Sequence, residues 1–375
     1  MSYGKLQPYK LVNLGRQLKT PVLVRVDINL PASHGQIQED ALRMRVYAHV
    51  LEIYSDYAGL VVMSHQGRKG GDDFTSFAPH METLEKLLPS DMKVDFAPHD
   101  KVFTEETRQK IKNLKRRQIL LLDNMRYFEE EKKWDAEAST YVPFFKGLVE
   151  TCVNDSIPTW HREDSSLMCL PYIAPTFIGL RSSYELRVLQ EVMNSKEPKA
   201  LIMGGAKLQK VKDLIQIAKT GVEIYTGGLP GQMIAKSRGY DLGESNEKFL
   251  AKKFNSEDFG EAKKLDSLLE GKGDSHLRHP VDFVVMHNGE RKPVRLEDLP
   301  KTKGDIMDIG PETMELYAST LQEKPLRIRA GPLGVYEKGF QNGLELTKMI
   351  SGDGLIFLGG DTSQELNAAG LLGHI

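Results

Sequence analysis

Arginine and histidine side chains recur just after the predicted strands in the first half of the chain. A guanidinium group is a planar fork that binds a carboxylate or a phosphate through two hydrogen bonds. Such a set predicts a pocket for a small, multiply charged anion. The set consists of Arg25, His65 with Arg68, Arg126, and His161 with Arg162, and Arg43 opens the first predicted helical stretch.

In the second half, paired glycines stand where the first half has arginine. A glycine turn before a helix lets the backbone approach a phosphate closely and leaves N–H groups free to bind it. Two anion sites of different kinds predict an enzyme that moves a phosphoryl group between them. The loops are GGAK (204–207), GGLPG (227–231), AGPLG (330–334) and GGDT (359–362).

The motif RVDINLP (25–31) places Arg25, Asp27 and Asn29 at alternate positions. Alternate residues of a strand share one face, so the acid and the amide can orient the arginine and a polar substrate. An Arg–Asp pair can equally be a structural ion pair. Recurrence of the arginine at several strand ends favours the functional interpretation.

The motif SHQGR (64–68) follows an apolar strand directly. Its glycine permits a tight turn that directs His65 and Arg68 towards one ligand. Taken alone, a histidine in a loop is often without a functional role. The strings DNMRY and HRED repeat the pattern of an arginine past a strand.

The glycine loops differ from the common nucleotide-binding motifs. No GxxxxGK[ST] string is present, and no GxGxxG is followed by an acid about 20 residues later. Lys207 supplies a point charge for a transferring phosphate. Asp361 is a candidate ligand for a nucleotide-bound magnesium ion, because Mg²⁺ often takes only one or two carboxylates. Asp361 as a helix N-cap is the alternative, and Thr362 is predicted to cap the helix that follows.

Short β-branched segments alternate with helix-like stretches along the whole chain. They are apolar on both faces, which is typical of parallel strands covered by helices. We therefore predict an α/β fold with two doubly wound, Rossmann-like parallel sheets, whose ligands bind at the carboxyl ends of the strands. The predicted strands are 22–26, 59–63, 93–97, 119–123, 150–154, 199–203, 222–226, 281–285, 304–308, 326–330 and 355–359.

With 375 residues, the chain is longer than one hydrophobic core usually supports. We predict an N-terminal anion-binding domain at 1–170, a hinge region with an interdomain helix at 171–195, and a C-terminal nucleotide-binding domain at 196–375. Ser182 and Glu185 have the spacing of a capping box at the start of that helix. An ordinary crossover helix fits the same pattern.

Composition excludes several classes of function. The formal net charge of -2 gives no basic excess, so no nucleic-acid partner is expected. Cys152 and Cys169, the two cysteines, lie in apolar surroundings and are expected to be reduced and buried. No secretory h-region and no apolar run of membrane-spanning length is seen, so a cytoplasmic protein without membrane contact is expected.

Taken together, these motifs resemble those of the phosphoglycerate kinase family. RVDINLP resembles RVDFNVP, SHQGR resembles SHLGR, LLLDNMRYFEEE resembles LLLENLRFHPEE, and VNDSIPTWHREDSS resembles VNDAFGTAHRAHSS. In the second half GGAK, DIGPETMELY, AGPLGVYE and GGDT are similar to GGAK, DIGPKTIELF, NGPMGVFE and GGGDT. The matches are collinear from residue 21 to about 375. The compact GGL loop and the short chain resemble the archaeal members.

The resemblance implies phosphoryl transfer between 1,3-bisphosphoglycerate and MgADP, giving 3-phosphoglycerate and MgATP, by a monomer whose domains close around a hinge. It implies that Arg43 and Lys207 contact the transferring group. It assigns the triose pocket to Arg25, Asp27, Asn29, His65, Arg68, Arg126 and Arg162. It assigns the nucleotide site to Gly204, Gly205, Gly227, Gly228, Pro332, Glu337 at the ribose, Gly359, Gly360, Asp361 with Mg²⁺, and Thr362.

Three departures from the family pattern leave a second hypothesis open. Val211 stands where many members have a second lysine, Ala330 replaces the asparagine of NGP, and the sequence ends at GHI where relatives continue through a STGGGAS-like loop. A catalytically impaired relative that binds nucleotide or phosphoglycerate in a regulatory role would share these features. A two-lobed solute-binding protein is a third hypothesis, for which a secretory signal would be expected.

Overall fold

The computed structural model describes residues 20–39, 41–205, 217, 222–269 and 276–371, apart from the side chains of Leu268, Leu269 and Asp361. The chain divides into two compact units, Met1–Asn194 and Ser195–Ile375. Each unit contains a parallel sheet with helical crossovers, so the prediction of an α/β fold with two parallel sheets is confirmed. Within the described ranges, no helix combines the length and the apolar character needed to cross a membrane.

The first unit contains a six-stranded sheet in the order β5-β6-β4-β1-β7-β8, and each neighbouring pair is parallel. A two-stranded antiparallel hairpin, β2-β3, follows the first strand. The strand bounds are β1 Val22–Val26, β2 Ala32–Ser33, β3 Gln36–Ile37, β4 Leu60–Met63, β5 Lys93–Ala97, β6 Gln118–Leu122, β7 Thr151–Asp155 and β8 Thr176–Ile178.

Helices connect these strands and cover both faces of the sheet. The bounds are α1 Leu42–Ser55, α2 Ala78–Leu87, α3 Glu105–Asn113, α4 Tyr141–Phe145, α5 Ser165–Met168, α6 Leu170–Ile173 and α7 Leu180–Asn194. Short 3₁₀ turns occupy Met125–Tyr127, Glu129–Lys132 and Ile157–Thr159. Strand β1 does not alternate between apolar and polar residues, because both of its faces are buried. Val22 and Val24 pack in one buried cluster and Leu23 in another, so each face of the sheet has its own core.

The described residues of the second unit form a five-stranded parallel sheet in the order β11-β10-β9-β15-β16. Its strands are β9 Lys199–Met203, β10 Glu223–Thr226, β11 Leu277–Arg278, β15 Leu326–Ala330 and β16 Leu355–Leu358. Its helices are α8 Gly228–Ser237, α9 Glu244–Lys253, α10 Ser256–Leu269, α11 Pro311–Leu321, α12 Asn342–Met349 and α13 Gly360–Ala368, with 3₁₀ turns at Leu296–Lys301 and Tyr336–Lys338.

Part of the predicted topology is wrong, because the second unit also contains a separate antiparallel sheet. Strands β12 (Asp282–His287) and β14 (Asp305–Ile309) were expected to be parallel strands, but both pair antiparallel in a sheet of order β13-β12-β14. The partner strand β13 (Glu290–Arg295) is mostly exposed and contains a proline, so it lacks the pattern of a buried strand. Asn288 and Gly289, with φ values of 50° and 83°, form the turn that reverses the chain.

The predicted capping box of α7 is also wrong. The helix begins at Leu180, so Ser182 lies inside its first turn, where its hydroxyl accepts the Ile157 N–H at 3.3 Å. The carboxylate of Asp155, the last residue of β7, receives the Ser182 N–H at 2.7 Å and the Arg181 N–H at 3.3 Å. A buried acid from a neighbouring strand therefore takes the place of a local cap. The role of α7 as an interdomain hinge stays a prediction.

Candidate active site

The parallel order of the first sheet brings the predicted anion-binding side chains to one edge. Arg25 lies near the end of β1, and His65 follows β4. Arg126 lies in the 3₁₀ turn after β6, and Arg162 follows the 3₁₀ turn after β7. These four strands are neighbours in the order β6-β4-β1-β7, so residues far apart in sequence meet at their carboxyl ends.

His65 lies between two guanidinium groups. Its Nδ1 is 3.1 Å from Nη2 of Arg25, and its Nε2 is 3.1 Å from Nη1 of Arg162. Burial and the positive charge of Arg25 hold the pKa of His65 far below its usual range, so the ring is neutral. A neutral imidazole has one acceptor nitrogen, and arginine can only donate. One of the two contacts therefore lacks an acceptor, which an incoming anion would supply.

Arg25 is fully buried and its charge is compensated inside the protein. Its Nε donates to the Ser166 hydroxyl at 2.9 Å, and another guanidinium nitrogen donates to a main-chain carbonyl. The Ser166 hydroxyl donates in turn to the buried carboxylate of Glu131 at 2.7 Å. Tyr141 donates to the same carboxylate at 3.0 Å. Glu131, Ser166 and Tyr141 were not singled out from the sequence, although the first two lie in the motifs LLLDNMRYFEEE and VNDSIPTWHREDSS.

Arg126 and Arg162 are two positive charges, and neither forms an ion pair with a carboxylate among the described residues. Arg126 donates to the main-chain carbonyl of Gly67. Burial lowers its pKa, and the charge of Arg162 lowers it further. The nearby carboxylate of Asp164 is paired with Lys132 instead. Two cations held close together without an anion form a site that favours a phosphate or carboxylate.

Arg43 stands at the start of α1 and is held by the end of β1. Its Nη1 lies 3.2 Å from Oδ2 of Asp27 and donates to the main-chain carbonyl of Asn29 at 2.7 Å. The Asp27 side chain is buried, whereas the Arg43 side chain is 32% exposed. The motif RVDINLP predicted that Asp27 and Asn29 would orient Arg25, whereas the Asp27 carboxylate and the Asn29 carbonyl hold Arg43 instead.

The turn at Gly67 depends on glycine. Its φ is 61°, and a Cβ there would lie 2.3 Å from the main-chain oxygen of Asp73. The Gly67 N–H donates to Oδ1 of Asn29 at 2.8 Å, which ties this turn to the end of β1. Arg68, predicted to point with His65 towards one ligand, is exposed, and no hydrogen bond or ion pair of its side chain is found within the described residues.

In the second unit, three of the glycine loops hold one another through main-chain hydrogen bonds. The Gly204 N–H donates to Ala330 O at 3.0 Å, and the Gly205 N–H donates to Pro332 O at 2.6 Å. The Gly228 N–H donates to the carbonyl of Leu333 at 2.9 Å. A Cβ on Gly204 would lie 2.1 Å from Pro332 O, so only glycine allows this approach. Gly227 precedes α8 and donates to the carbonyl at the end of β9 at 2.8 Å.

The helices that follow GGLPG and GGDT differ in how many of their first N–H groups are hydrogen-bonded. At α8, Gly228 and Leu229 both donate to carbonyls of the neighbouring loops, and Pro230 has no N–H. The expectation of free N–H groups at GGLPG is therefore wrong. At α13, by contrast, the N–H groups of Gly360 and Thr362 have no acceptor within the described part of the chain. An exposed helix start with unbound N–H groups suits a phosphate.

Thr362 does not cap α13, because the N-cap position is Gly359, with a φ of 89°. Thr362 is buried in the first turn, where its hydroxyl donates to Leu358 O at 2.8 Å and accepts the Gly331 N–H at 2.7 Å. Glu337, expected at a ribose, is exposed on the 3₁₀ turn Tyr336–Lys338.

The remaining predicted positions cannot be placed. Lys207 and Val211 lie outside the described residues, as does the side chain of Asp361. Within the described ranges, no cluster of three or more His, Cys, Asp or Glu side chains could hold a metal ion. The roles assigned to these positions stay predictions.

Comparison with known proteins agrees with this architecture. A family model described as phosphoglycerate kinase matches residues 16–375. The phosphoglycerate kinase of Natronomonas pharaonis is 34% identical over 369 residues, which is 94% of this chain and 89% of that protein. That of Methanopyrus kandleri is 30% identical over 335 residues, covering 86% and 79%. The crystal structure of phosphoglycerate kinase from Pyrococcus horikoshii OT3 superposes with a TM-score of 0.85 at 28% identity, covering 97% of this chain and 92% of that one.

Parallel sheets in both units, with arginines at the strand ends of one and glycine loops in the other, define a kinase with an α/β fold. The relatives from Natronomonas pharaonis and Methanopyrus kandleri are archaeal, as the compact GGL loop predicted. The chain belongs to the phosphoglycerate kinase family, which confirms the resemblance seen in the motifs. Members of this family use nucleotide substrates, generally with Mg²⁺.

Proposed function

We propose that this chain catalyses reversible phosphoryl transfer between 1,3-bisphosphoglycerate and MgADP, which gives 3-phosphoglycerate and MgATP in glycolysis or gluconeogenesis. As a member of its family, the chain is a phosphotransferase with a carboxyl group as acceptor. The phosphoglycerate binds the first unit and the nucleotide binds the second. Arg43 and Lys207 contact the transferring group.

One observation carries the phosphoglycerate side of the proposal. The guanidinium groups of Arg25 and Arg162 face opposite nitrogens of a neutral His65, so one of these contacts lacks an acceptor. The adjacent Arg126 also lacks a carboxylate partner among the described residues. A substrate with a carboxylate and a phosphate provides the missing acceptors and neutralises this charge. We assign Asp27, Asn29 and Arg68 to the same pocket on the family resemblance.

The start of α13 supports the nucleotide side. The N–H groups of Gly360 and Thr362 have no acceptor among the described residues, and such groups at a helix N-terminus favour a nucleotide phosphate. Asp361 lies between them in sequence, and we propose that its carboxylate holds the Mg²⁺ that accompanies the nucleotide. The other residues assigned to this site are Gly204, Gly205, Gly227, Gly228, Pro332, Glu337 and Gly359.

The chemistry needs alignment and charge neutralisation rather than a strong base. An oxygen of the ADP β-phosphate attacks the 1-phosphoryl phosphorus, the bond from this phosphorus to the carboxyl oxygen breaks, and 3-phosphoglycerate leaves as a carboxylate. Attacking and leaving groups are already anionic, so no proton has to be removed. Positive groups aimed at the transferring oxygens lower the barrier. Mg²⁺ bound with the nucleotide supplies further positive charge at its phosphates.

An assay with 3-phosphoglycerate and MgATP, coupled to the oxidation of NADH, tests the proposal. We expect turnover at ~1–100 s⁻¹, as is typical of kinases. Arg43→Ala should lower kcat by roughly 100-fold or more, because a charge aimed at the transferring group is lost. Calorimetry should show unchanged MgADP binding in this variant.

Arg45→Ala is the matched control, because Arg45 is an exposed arginine on the same helix. Melting temperatures of both variants separate a lost charge from a lost fold. An unchanged kcat in Arg43→Ala would overturn the role of Arg43. A wild-type chain that binds both ligands without turnover would overturn the activity and leave the impaired, regulatory relative.

Asp361→Ala tests the division between the two ligand sites. We expect the Kd of MgADP to rise at least tenfold, because a magnesium ligand is lost, while the Kd of 3-phosphoglycerate stays within about twofold. Both constants are measured by calorimetry. Equal weakening of both ligands would reject the assignment.

We further propose that the enzyme acts in the cytoplasm as a monomer. Both cysteines are free and buried, which suits a reducing compartment. The monomer is carried over from the family resemblance. Light scattering coupled to gel filtration, with and without both substrates, measures the mass directly, and a dimer mass would contradict it.

A further inference from the structure

Gln66 is a fully buried glutamine, and every donor and acceptor of its side-chain amide is hydrogen-bonded. Its Oε1 accepts the Leu30 N–H at 2.8 Å and lies 3.2 Å from Nε2 of His80. Its Nε2 donates to Leu30 O at 2.9 Å and to Asp73 O at 3.0 Å. An amide has two donor hydrogens and two acceptor lone pairs, so Gln66 uses all of them.

The partners fix the orientation of this amide and the tautomer of the histidine. Two carbonyl oxygens at one end of Gln66 require the NH₂ group there, so the oxygen must face Leu30 N–H and His80. His80 Nε2 therefore carries a proton and donates it to Gln66. Burial lowers the pKa of His80 to about 3, so the ring is neutral near pH 7. The pair is a neutral hydrogen-bonded unit.

The two segments that Gln66 joins also provide the main-chain carbonyls to which Arg43 and Arg126 donate hydrogen bonds. Leu30 follows Asn29, whose main-chain carbonyl accepts a hydrogen bond from Arg43 at 2.7 Å. Gly67, directly after Gln66, offers its carbonyl to Arg126. The Gln66 side chain reaches across to Leu30 through both its donor and its acceptor, so it sets the register of one segment against the other.

We propose that Gln66, supported by His80, is a positioning residue that fixes the main-chain carbonyls holding Arg43 and Arg126. This inference rests on the proposed function, in which both arginines bind the anionic substrate. None of the hydrogen bonds of the Gln66 side chain goes to Arg43 or Arg126. It acts through the backbone, so its removal should misplace the two guanidinium groups while the nucleotide unit is unaffected.

Gln66→Leu tests the inference, because leucine has a similar volume and no hydrogen-bonding groups. We expect kcat/KM for 3-phosphoglycerate to fall roughly tenfold to 100-fold, as misplacement of catalytic groups by about 1 Å can cause. The Kd of MgADP should be unchanged. His80→Phe should give a smaller fall, because the Leu30 N–H still holds the Gln66 oxygen.

Thr83→Val is the matched control for lost stability. Thr83 is buried on α2 with His80, and its hydroxyl donates to Pro79 O at 2.9 Å, away from both segments. We expect this variant to melt at a lower temperature with kcat/KM unchanged. If Gln66→Leu and Thr83→Val have the same kcat/KM as the wild type, the positioning role is overturned.

Gln66→Glu tests the inference independently, and it replaces the leucine variant if that variant fails to fold. A protonated glutamic acid can still donate to one carbonyl, whereas the ionised form faces two carbonyl oxygens with no hydrogen to give. We expect kcat/KM of this variant to fall with rising pH through a step absent from the wild type. A pH profile that superimposes on the wild type would overturn the inference. If the wild type is active and the Gln66 variants have its kcat/KM, only the positioning role of Gln66 is overturned. If the wild type neither binds nor turns over 3-phosphoglycerate, the proposed function is overturned as well.

Discussion

At the scale of single residues, His65 is a neutral side chain that contacts two positively charged arginines. Burial and Arg25 hold its pKa far below the usual range, so it stays neutral while it contacts both Arg25 and Arg162. A charged ring in this place would repel the two arginines. We therefore assign His65 to binding and give it no role in proton transfer.

Of the two arginines that contact His65, Arg162 is only half-buried, whereas Arg25 is fully buried. Arg162→Ala should raise the KM for 3-phosphoglycerate roughly 10-fold to 100-fold, because a hydrogen bond to a charged group contributes about 1.5–3 kcal/mol. Initial-rate kinetics measure this. Arg187→Ala removes an exposed arginine on α7 and is the control, which should match the wild type. Equal KM values for both variants would contradict the binding role.

The arginines of the site could be predicted from sequence, but their partners could not. Arg25, Arg126 and Arg162 stand at strand ends, and any parallel sheet brings such ends together. The compensation of Arg25 by Glu131 through Ser166, by contrast, joins residues more than 100 positions apart. Such contacts depend on strand order and register, which no local pattern specifies.

At the scale of elements, Asp155 joins three parts of the first unit. Tyr54, on α1, donates to its carboxylate at 2.7 Å, and Tyr47 on the same helix donates to its main-chain carbonyl at 2.6 Å. The carboxylate also accepts N–H groups at the start of α7. The helix that carries Arg43 is therefore tied to the end of β7 and to the first turn of α7.

Tyr54→Phe should weaken this junction. The Tyr54 hydroxyl also accepts the Leu180 N–H at 2.6 Å, so its loss leaves a buried donor and a carboxylate oxygen unsatisfied. We expect the free energy of unfolding to fall by about 1–3 kcal/mol. Urea titration measures this, with Tyr57→Phe just beyond α1 as the control. Equal changes in the two variants would show that the junction contributes nothing.

The bounds of several strands could be predicted from the sequence. The strands β1, β5, β9 and β15 begin and end where they were predicted to. The direction of β12 and β14 could not be predicted, because their partner β13 is mostly exposed and lacks the pattern of a buried strand. The start of α7 was also missed, because its cap comes from a distant strand.

At the scale of the whole molecule, the second unit buries charge that the fold must stabilise. Arg329 and Glu365 form a buried ion pair at 2.6 Å. Asp308 is buried as well, and its carboxylate accepts the N–H groups of Ile309 and Asn342 at 2.8 and 2.9 Å. Burial raises the pKa of Asp308 to about 7. Its ionisation near neutral pH therefore works against folding.

The pH dependence of unfolding should reveal Asp308. Its pKa is higher in the folded than in the unfolded chain, so its contribution to stability is present near pH 4 and is lost as pH rises to 7. The loss is on the order of 4 kcal/mol, since each pKa unit corresponds to about 1.4 kcal/mol. Asp308→Asn lacks this titration. Urea unfolding at pH 5 to 8 should show the wild type losing stability relative to the variant up to pH 7 only, and parallel curves would contradict this.

The fold class was predictable because its signal is spread over many short strand-like segments that alternate with helical stretches. The two units agree with the length of the chain, but the predicted boundaries at 170 and 195 stay a prediction. The nucleotide site was harder to predict, because a glycine loop can bind a phosphate only where its N–H groups are not already hydrogen-bonded within the protein. At GGLPG they bind neighbouring carbonyls, while at GGDT those of Gly360 and Thr362 have no acceptor in the part of the chain that the structure describes.

The two buried thiols make the native chain a convenient host for spectroscopic labels. Cys152 and Cys169 are fully buried, and burial raises the pKa of Cys152 to about 12 and that of Cys169 above its usual range. Only the thiolate reacts quickly with maleimides, so neither cysteine competes for the dye at neutral pH. A donor and an acceptor fluorophore can therefore be attached at one engineered cysteine in each unit. Energy transfer between them would then report the distance between the units as each substrate is added.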